Sequence, residues 1–215
     1  MSAAHKAPAP PHCVDVSEQA IYFDQLYTGN RDPWQVRDSW YERRKRAVLL
    51  AALPRERYGL AFEPGCGTGE LTDALAARCM AVHASDLSAA AIEIAAQRVG
   101  HHGNVQLDQR ALPADWPRDS SSRYDLIVVS ELAYYLDDAA LVQFTARCAD
   151  SLSAGGELLL CHWRHPFHDR LQDTATVHAT CDQLPGMRCV VRHQDTDFLL
   201  QVWRRKQDAD AEALP

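Results

Sequence analysis

Between residues 58 and 162, apolar runs and helix-like stretches follow one another in a regular order. Tyr58 to Glu63, Ala81 to Asp86, Val105 to Gln109, Tyr124 to Ser130 and Glu157 to His162 read as strands. Helical patterns over Leu71 to Ala77, Ala89 to Val99 and Asp138 to Ser151 separate most of them, and Gly155-Gly156 is expected to close the last helix. Leu126-Ile127-Val128-Val129 is apolar at every position, which suits a parallel strand covered on both faces better than a strand with one wet side. Met187 to His193 and Phe198 to Trp203 predict a closing antiparallel pair. Upstream, Ser17 is placed to cap a helix through Tyr27. Ser39 with Glu42 predicts a capping box before Ala47 to Leu53, and Pro54 ends that helix.

Strands alternating with helices in this way predict an α/β fold: a Rossmann-like, doubly wound sheet of seven strands, mostly parallel with an antiparallel last strand, and helices on both faces. A single domain is expected over residues 15–204, its residues 15–54 forming lid helices. Residues 1–14, rich in alanine and proline, and the acidic 205–215 are expected to be disordered tails.

Composition narrows the partners. The 215 residues carry a net charge of −7, and apart from Arg43-Arg44-Lys45-Arg46 the basic residues do not gather, so nucleic acid is not an expected partner. No apolar run approaches the ~18 residues of a membrane helix, and Met1 to His12 lacks the pattern of a secretion signal. The expected location is the cytoplasm, as a monomer or weak homodimer. The seven cysteines, Cys13, Cys66, Cys79, Cys148, Cys161, Cys181 and Cys189, form no C-x-x-C pair and read as reduced, mostly buried thiols.

The candidate chemistry begins at Glu63-Pro64-Gly65-Cys66-Gly67-Thr68-Gly69-Glu70, a strand-to-helix turn with glycines at alternate positions. Glycine there lets the backbone approach a ligand that a Cβ would exclude. A dinucleotide turn wants a third glycine on the helix; Glu70 occupies that place, and a carboxylate would repel pyrophosphate. No P-loop sequence occurs, so the turn favours a cofactor without phosphates. Asp86 falls 21 residues after Gly65, near the distance at which an acid meets ribose hydroxyls, and Ser88 is placed to cap the next helix. At the end of the Tyr124 strand, Glu131, Tyr134 and Tyr135 should face the ligand crevice.

The pattern Glu63 to Gly69 resembles the glycine-rich first motif of the class I S-adenosylmethionine-dependent methyltransferases. Further elements are Asp32-Pro33-Trp34, Ser39 to Lys45, Ser130-Glu131 with Tyr134-Tyr135-Leu136, and Cys161-His162-Trp163-Arg164-His165-Pro166. Together they resemble the rhizobial nodulation protein S family, over about Tyr22 to Trp203. That family N-methylates the glucosamine nitrogen of a chitooligosaccharide. The resemblance implies S-adenosyl-L-methionine as cofactor, S-adenosyl-L-homocysteine as product, no metal, and a small polar acceptor, an amine of the amino-sugar kind.

On this reading the cofactor meets Glu63, Gly65, Cys66, Gly67, Gly69, Asp86, Leu87, Ala111, Leu112, Ser130 and Trp34. Arg110-Ala111-Leu112-Pro113 stands where the family often has an acid near adenine, so backbone and apolar contacts around Leu112 and Trp116 are expected instead. Trp34, Trp40 and Tyr41 would close over the sulfonium, and a cation from Arg43 to Arg46 would meet the cofactor carboxylate. Glu131 is the expected holder of the incoming ammonium and acceptor of its proton, with Tyr134 and His162 as further catalytic candidates. Tyr135, Trp163, Arg164, His165 and Tyr41 are expected to touch the acceptor. His162, His165 and His168 share a spacing of three, but Pro166 breaks the helix that would align them on a metal. Three other readings stay open: an O-methyltransferase, a catalytically silent S-adenosylmethionine sensor or scaffold, and a nicotinamide oxidoreductase, which Glu70 argues against.

Overall fold

The computed structural model describes residues 16–117 and 123–207. The expected tail at 1–14, the part of the expected 205–215 tail beyond residue 207, and Cys13 lie outside these; Arg205, placed in that tail, instead ends the last strand, where it pairs with Met187. The chain runs α1 (Val16–Gly29), α2 (Trp40–Ala52), β1 (Tyr58–Pro64), α3 (Glu70–Ala76), β2 (Cys79–Asp86), α4 (Ala89–Val99), β3 (Val105–Gln109) and β4 (Tyr124–Ser130). A short 3-10 turn (Ala133–Tyr135) follows, then α5 (Asp138–Ser151), β5 (Leu152–Trp163), α6 (Thr174–Asp182), β6 (Met187–Gln194) and β7 (Phe198–Arg205).

These strands form one seven-stranded sheet in the order β3-β2-β1-β4-β5-β7-β6. The pairs β1 to β2, β2 to β3, β1 to β4 and β4 to β5 are parallel, whereas β7 runs antiparallel to both β5 and β6. The Rossmann-like expectation therefore holds, including its antiparallel closing strand. Because β1 lies between β2 and β4, chain order reverses there, and the crevice beyond its carboxyl end is where such sheets receive ligands.

The apolar β4 shows why helices cover both faces. Leu126 and Val128 enter one core with Leu49 of α2, Leu75 of α3 and Ala95 of α4. Ile127 and Val129 enter the other with Phe144 and Cys148 of α5 and Val177 and Cys181 of α6. Successive side chains on a strand point to opposite faces, so a strand with two cores must be apolar throughout.

Several local expectations are corrected. Ser17 lies inside α1, one residue past its start. Ser39 is the N-cap residue of α2 but makes no side-chain cap bond, and Glu42 turns inward to Lys45 instead of back to Ser39. Gly155-Gly156 does not close α5: Leu152 caps that helix, and the glycines lie within β5, where β4 and β5 shift register between Tyr124 and Leu126. Helix α6, capped by Asp173, was not anticipated from the sequence. Ser88 caps α4 as expected, its hydroxyl accepting from the Ala91 N–H at 3.1 Å. Cys66, Cys79, Cys148, Cys161 and Cys181 are buried free thiols, and Cys189 is an exposed one. Among the described residues no helix is long and apolar enough to cross a membrane.

Candidate active site

A cavity of about 680 Å³ opens along the carboxyl ends of β1, β2 and β4. Its floor at one end is the glycine turn. The Gly65 and Cys66 N–H groups both donate to the Ser85 carbonyl, at 2.7 and 2.9 Å, which ties the turn to the strand that carries Asp86. Gly65, Gly67 and Gly69 have φ of 73°, 52° and 78°, a region that L side chains avoid. A Cβ at Gly67 would come within 2.9 Å of the Tyr27 hydroxyl, and one at Gly69 within 3.2 Å of the Ala95 backbone. Gly65 and Gly67 thus keep the cavity open, while Gly69, which is off the cavity lining, lets α3 pack against α4.

Asp86 stands beside this turn. Its Oδ2 accepts from the Gly67 N–H at 2.9 Å and its Oδ1 from the Ser88 N–H at 3.0 Å. Burial pushes its carboxyl up, and those backbone donors oppose the shift. Glu63 is a buried residue of the cavity lining, its Oε2 accepting from the Thr72 hydroxyl at 2.7 Å, and burial pushes its carboxyl up to about 8. Glu70 is not a bare charge: Arg98 of α4 pairs with it at 2.6 Å and also donates to the Thr68 carbonyl. The glycine turn is therefore clamped from outside by α4.

The roof comes from α1 and α2. Gln19, Phe23 and Tyr27, at i, i+4 and i+8, place one face of α1 over the cavity. From α2 come Tyr41, Glu42, Lys45, Arg46 and Leu49. The four consecutive cations diverge: Arg43 donates to the Asp38 carbonyl, Arg44 pairs with Asp195 at 2.6 Å, and Lys45 bonds Glu131 and Glu42. Arg46 lines the cavity and makes no ion pair among the described residues. Trp34 and Tyr41 line the cavity, but Trp40 is 70% exposed and points to a separate shallow pocket beside Arg44 and Asp195, so it does not join the roof as expected.

Glu131 sits just past β4 with φ of 56°, unusual for a residue with a Cβ. Its Oε1 accepts from Lys45 Nζ at 2.6 Å, and its Oε2 from the Tyr134 hydroxyl at 2.6 Å and the Trp163 N–H at 2.9 Å. Burial alone would push Lys45 down, but the Glu131 and Glu42 carboxylates outweigh it and hold the ammonium above its ordinary range. The carboxylate expected to receive an incoming ammonium already holds one.

His162 requires a correction. Expected as a catalytic residue, it is fully buried behind the cavity wall, its Nε2 accepting from the Ala133 N–H at 3.2 Å and its Nδ1 facing His178 Nε2 at 3.1 Å. Burial holds His162 well below the ordinary imidazole value and pushes His178 down to about 4. Both are neutral supports of the turn after β4. Arg164 and His165 also lie off the lining, bonded to the loop before β7 through the Asp195 carbonyl and Asp197. Their strand exit turns outward after Trp163. Trp116 packs in the core with Phe62 and Phe144, leaving Leu112 on the cavity wall and Ala111 off it. The remaining expected residues, Cys66, Leu87, Ser130, Tyr134, Tyr135 and Trp163, do converge on the cavity. The sequence reading missed Phe23 and Tyr27, which the helical stripe of α1 could have revealed, and Phe167 and Asp169, for which the sequence carries no periodic signal.

A family model, nodulation protein S (NodS), matches residues 23–164 of this chain. The chain belongs to the NodS family. Nodulation protein S of Rhizobium tropici is 30% identical over 131 residues, which are 60% of this chain and 53% of that protein. The match thus spans about half the length of that curated NodS relative. A Pseudomonas syringae protein described as a candidate methyltransferase is 44% identical in its crystal structure, covering 78% of this chain and all of that one, with a TM-score of 0.68. The N-methyltransferase NodS of Bradyrhizobium japonicum WM9, crystallised with S-adenosylhomocysteine, superposes with a TM-score of 0.74 over 86% of this chain and 97% of that one at 24% identity. The NodS matches and this sheet order together identify the fold as that of the S-adenosylmethionine-dependent methyltransferases.

Proposed function

We propose that this NodS-family protein transfers the methyl group of S-adenosylmethionine to a nitrogen of a small polar amine, with an amino sugar of the chitooligosaccharide kind as acceptor. The observation that carries this reading is the continuity of one cavity: the bare glycine backbone and Asp86 lie at one end, and the aromatic wall after β4 and β5 at the other.

The residues fit the cofactor. Gly65 and Gly67 leave space that a Cβ would fill, Asp86 turns a carboxylate toward the same space, and Arg46 brings a cation without an acidic partner among the described residues. Asp86 would take the ribose hydroxyls, Arg46 the amino acid carboxylate, and Leu87 and Leu112 the flat apolar base. When bound, the sulfonium supplies an electrophilic methyl group.

The chain's own contribution is placement and enclosure. Trp34, Tyr27 and Tyr41 would offer ring faces to a positive centre, and α1 with α2 would keep water, a competing acceptor, from the reaction. Glu131, committed to Lys45, Tyr134 and Trp163, fixes the wall against which the acceptor is held. Holding the nitrogen in line with the methyl group supplies a large share of the acceleration for such a displacement. Incubation with labelled cofactor and a panel of amines and alcohols tests this reading: N-methylated products are expected, and methylation of hydroxyls with amines ignored would overturn it.

A further inference from the structure

We propose that Asp169 is the anionic anchor of the acceptor's ammonium group, and that it sets the preference of this site for cationic over neutral acceptors. The inference rests on the amine-acceptor reading and deepens it.

It follows from the charges on the cavity wall. Six carboxylates line it: Glu42, Glu63, Glu70, Asp86, Glu131 and Asp169. Glu42 and Glu131 share Lys45, and Glu70 has Arg98. Glu63 holds its proton at neutral pH, because its burial raises its carboxyl to about 8. Asp86 is bonded by the backbone of the glycine turn and belongs to that end of the cavity. Asp169 differs from all of these. Its Oδ2 accepts from the Tyr22 hydroxyl at 2.6 Å, and its Oδ1 lies 3.4 Å from His168 Nδ1. No lysine or arginine pairs with it among the described residues, although its side chain is only 13% exposed.

Its surroundings suit a cation. Tyr22, whose hydroxyl bonds Asp169, meets Phe23 at 5.2 Å; Phe23 meets Tyr135 edge to face at 5.3 Å and Tyr135 meets Phe167 at 5.8 Å, so three cavity-lining rings continue from the Asp169 partner. Ring faces attract an ammonium and offer little to a neutral hydroxyl. The carboxylate is held in place: the Leu171 and Gln172 N–H groups donate to the Tyr134 carbonyl at 2.8 and 3.1 Å, which fixes the segment carrying Asp169 against the turn after β4. A partly buried carboxylate whose one basic neighbour is the exposed His168, with no lysine or arginine paired to it among the described residues and aromatic rings beside it, binds a cation through charge-assisted hydrogen bonds. The group that arrives is the ammonium; its proton leaves to solvent before the lone pair is available for transfer.

The test uses matched pairs. The full-length protein loaded with S-adenosylhomocysteine is titrated by calorimetry with glucosamine against glucose, and with cyclohexylamine against cyclohexanol. Each amine is expected to bind at least about tenfold tighter than its neutral counterpart. Asp169→Asn, which can still accept from Tyr22, should cut that preference to below about threefold, and Asp169→Glu should keep most of it. Unchanged affinity for S-adenosylhomocysteine shows that both variants are folded. A preference that survives in Asp169→Asn, or none in the wild type, overturns the proposal. The methylation products separate this from the amine reading. O-methyl products alongside an Asp169-dependent amine preference would remove the reading and leave the cation anchor. N-methyl products with Asp169→Asn binding amines as the wild type does would remove only the anchor.

Discussion

Nζ of Lys45, on the second helix, lies 2.6 Å from Oε1 of Glu131, a residue 86 positions later at the end of β4. The same ammonium reaches Glu42 one turn back on its own helix, at 2.9 Å. One cation thus satisfies two carboxylates, and the Lys45 side chain is 4% exposed. Removing it would leave two partly buried carboxylates facing each other with no cation between them. Lys45→Met is therefore expected to lower unfolding stability by about 3–5 kcal/mol. Adding Glu42→Gln and Glu131→Gln should restore part of that loss, because the stranded charges disappear with their partner. Denaturant midpoints of the single and triple variants check this. A Lys45→Met protein as stable as wild type would mean that the pair carries no structural weight.

Asp86 offers a separable test, since its bonds to the Gly67 and Ser88 N–H groups are ones that an asparagine oxygen can keep only in part. With the negative charge gone, ribose hydroxyls would lose charge-assisted acceptors worth roughly 1.5–3 kcal/mol each. Asp86→Asn should bind S-adenosylhomocysteine about tenfold more weakly or worse in calorimetry. Affinity equal to wild type would place the sugar elsewhere.

Much of this architecture was legible because it follows from periodicity. The all-apolar Leu126 to Val129 announced a strand between two layers, and Gly65-x-Gly67 with Asp86 announced the ligand end of the crevice. What escaped was set by tertiary partners. Glu131 reads in sequence as a carboxylate awaiting a substrate, and only the fold brings Lys45 to it. His162 reads as a strand-end imidazole facing the crevice. The pleat turns it instead to the α6 side, where His178 waits on a helix whose weak amphipathic pattern hid it. Asp169 lies in an irregular connection, where no period marks which side chains turn inward.

Gly67 and Tyr27 form a steric pair that a double-mutant cycle can resolve. Gly67→Ala combines a φ of 52° with a Cβ 2.9 Å from the Tyr27 hydroxyl. The backbone cost of about 1 kcal/mol or more stays whatever the neighbour does, whereas Tyr27→Phe removes the contacting oxygen. Gly67→Ala should weaken cofactor binding and lower stability, and Gly67→Ala with Tyr27→Phe should recover the steric portion alone. Additive losses, with no recovery in thermal melts of the double variant, would rule out the contact as a source of strain.

Glu63 gives the protein a pH dependence of a definite sign. Burial lifts its carboxyl from an ordinary 4.5 to about 8 in the folded chain. Below 4.5 the group is protonated whether the chain is folded or not, and it contributes no slope. Between 4.5 and about 8 the unfolded chain releases the proton while the folded chain retains it. The folded state then binds more protons, and its stability falls as pH rises, by up to about 1.4 kcal/mol per unit. Above that window the cost is constant. Glu63→Gln keeps an acceptor for the Thr72 hydroxyl but cannot ionise, so its advantage over wild type should be small near pH 5 and grow steadily toward pH 8. Urea unfolding of both cofactor-free proteins across that range measures the difference. A gap that stays flat with pH would show that Glu63 ionises inside the fold as readily as outside it.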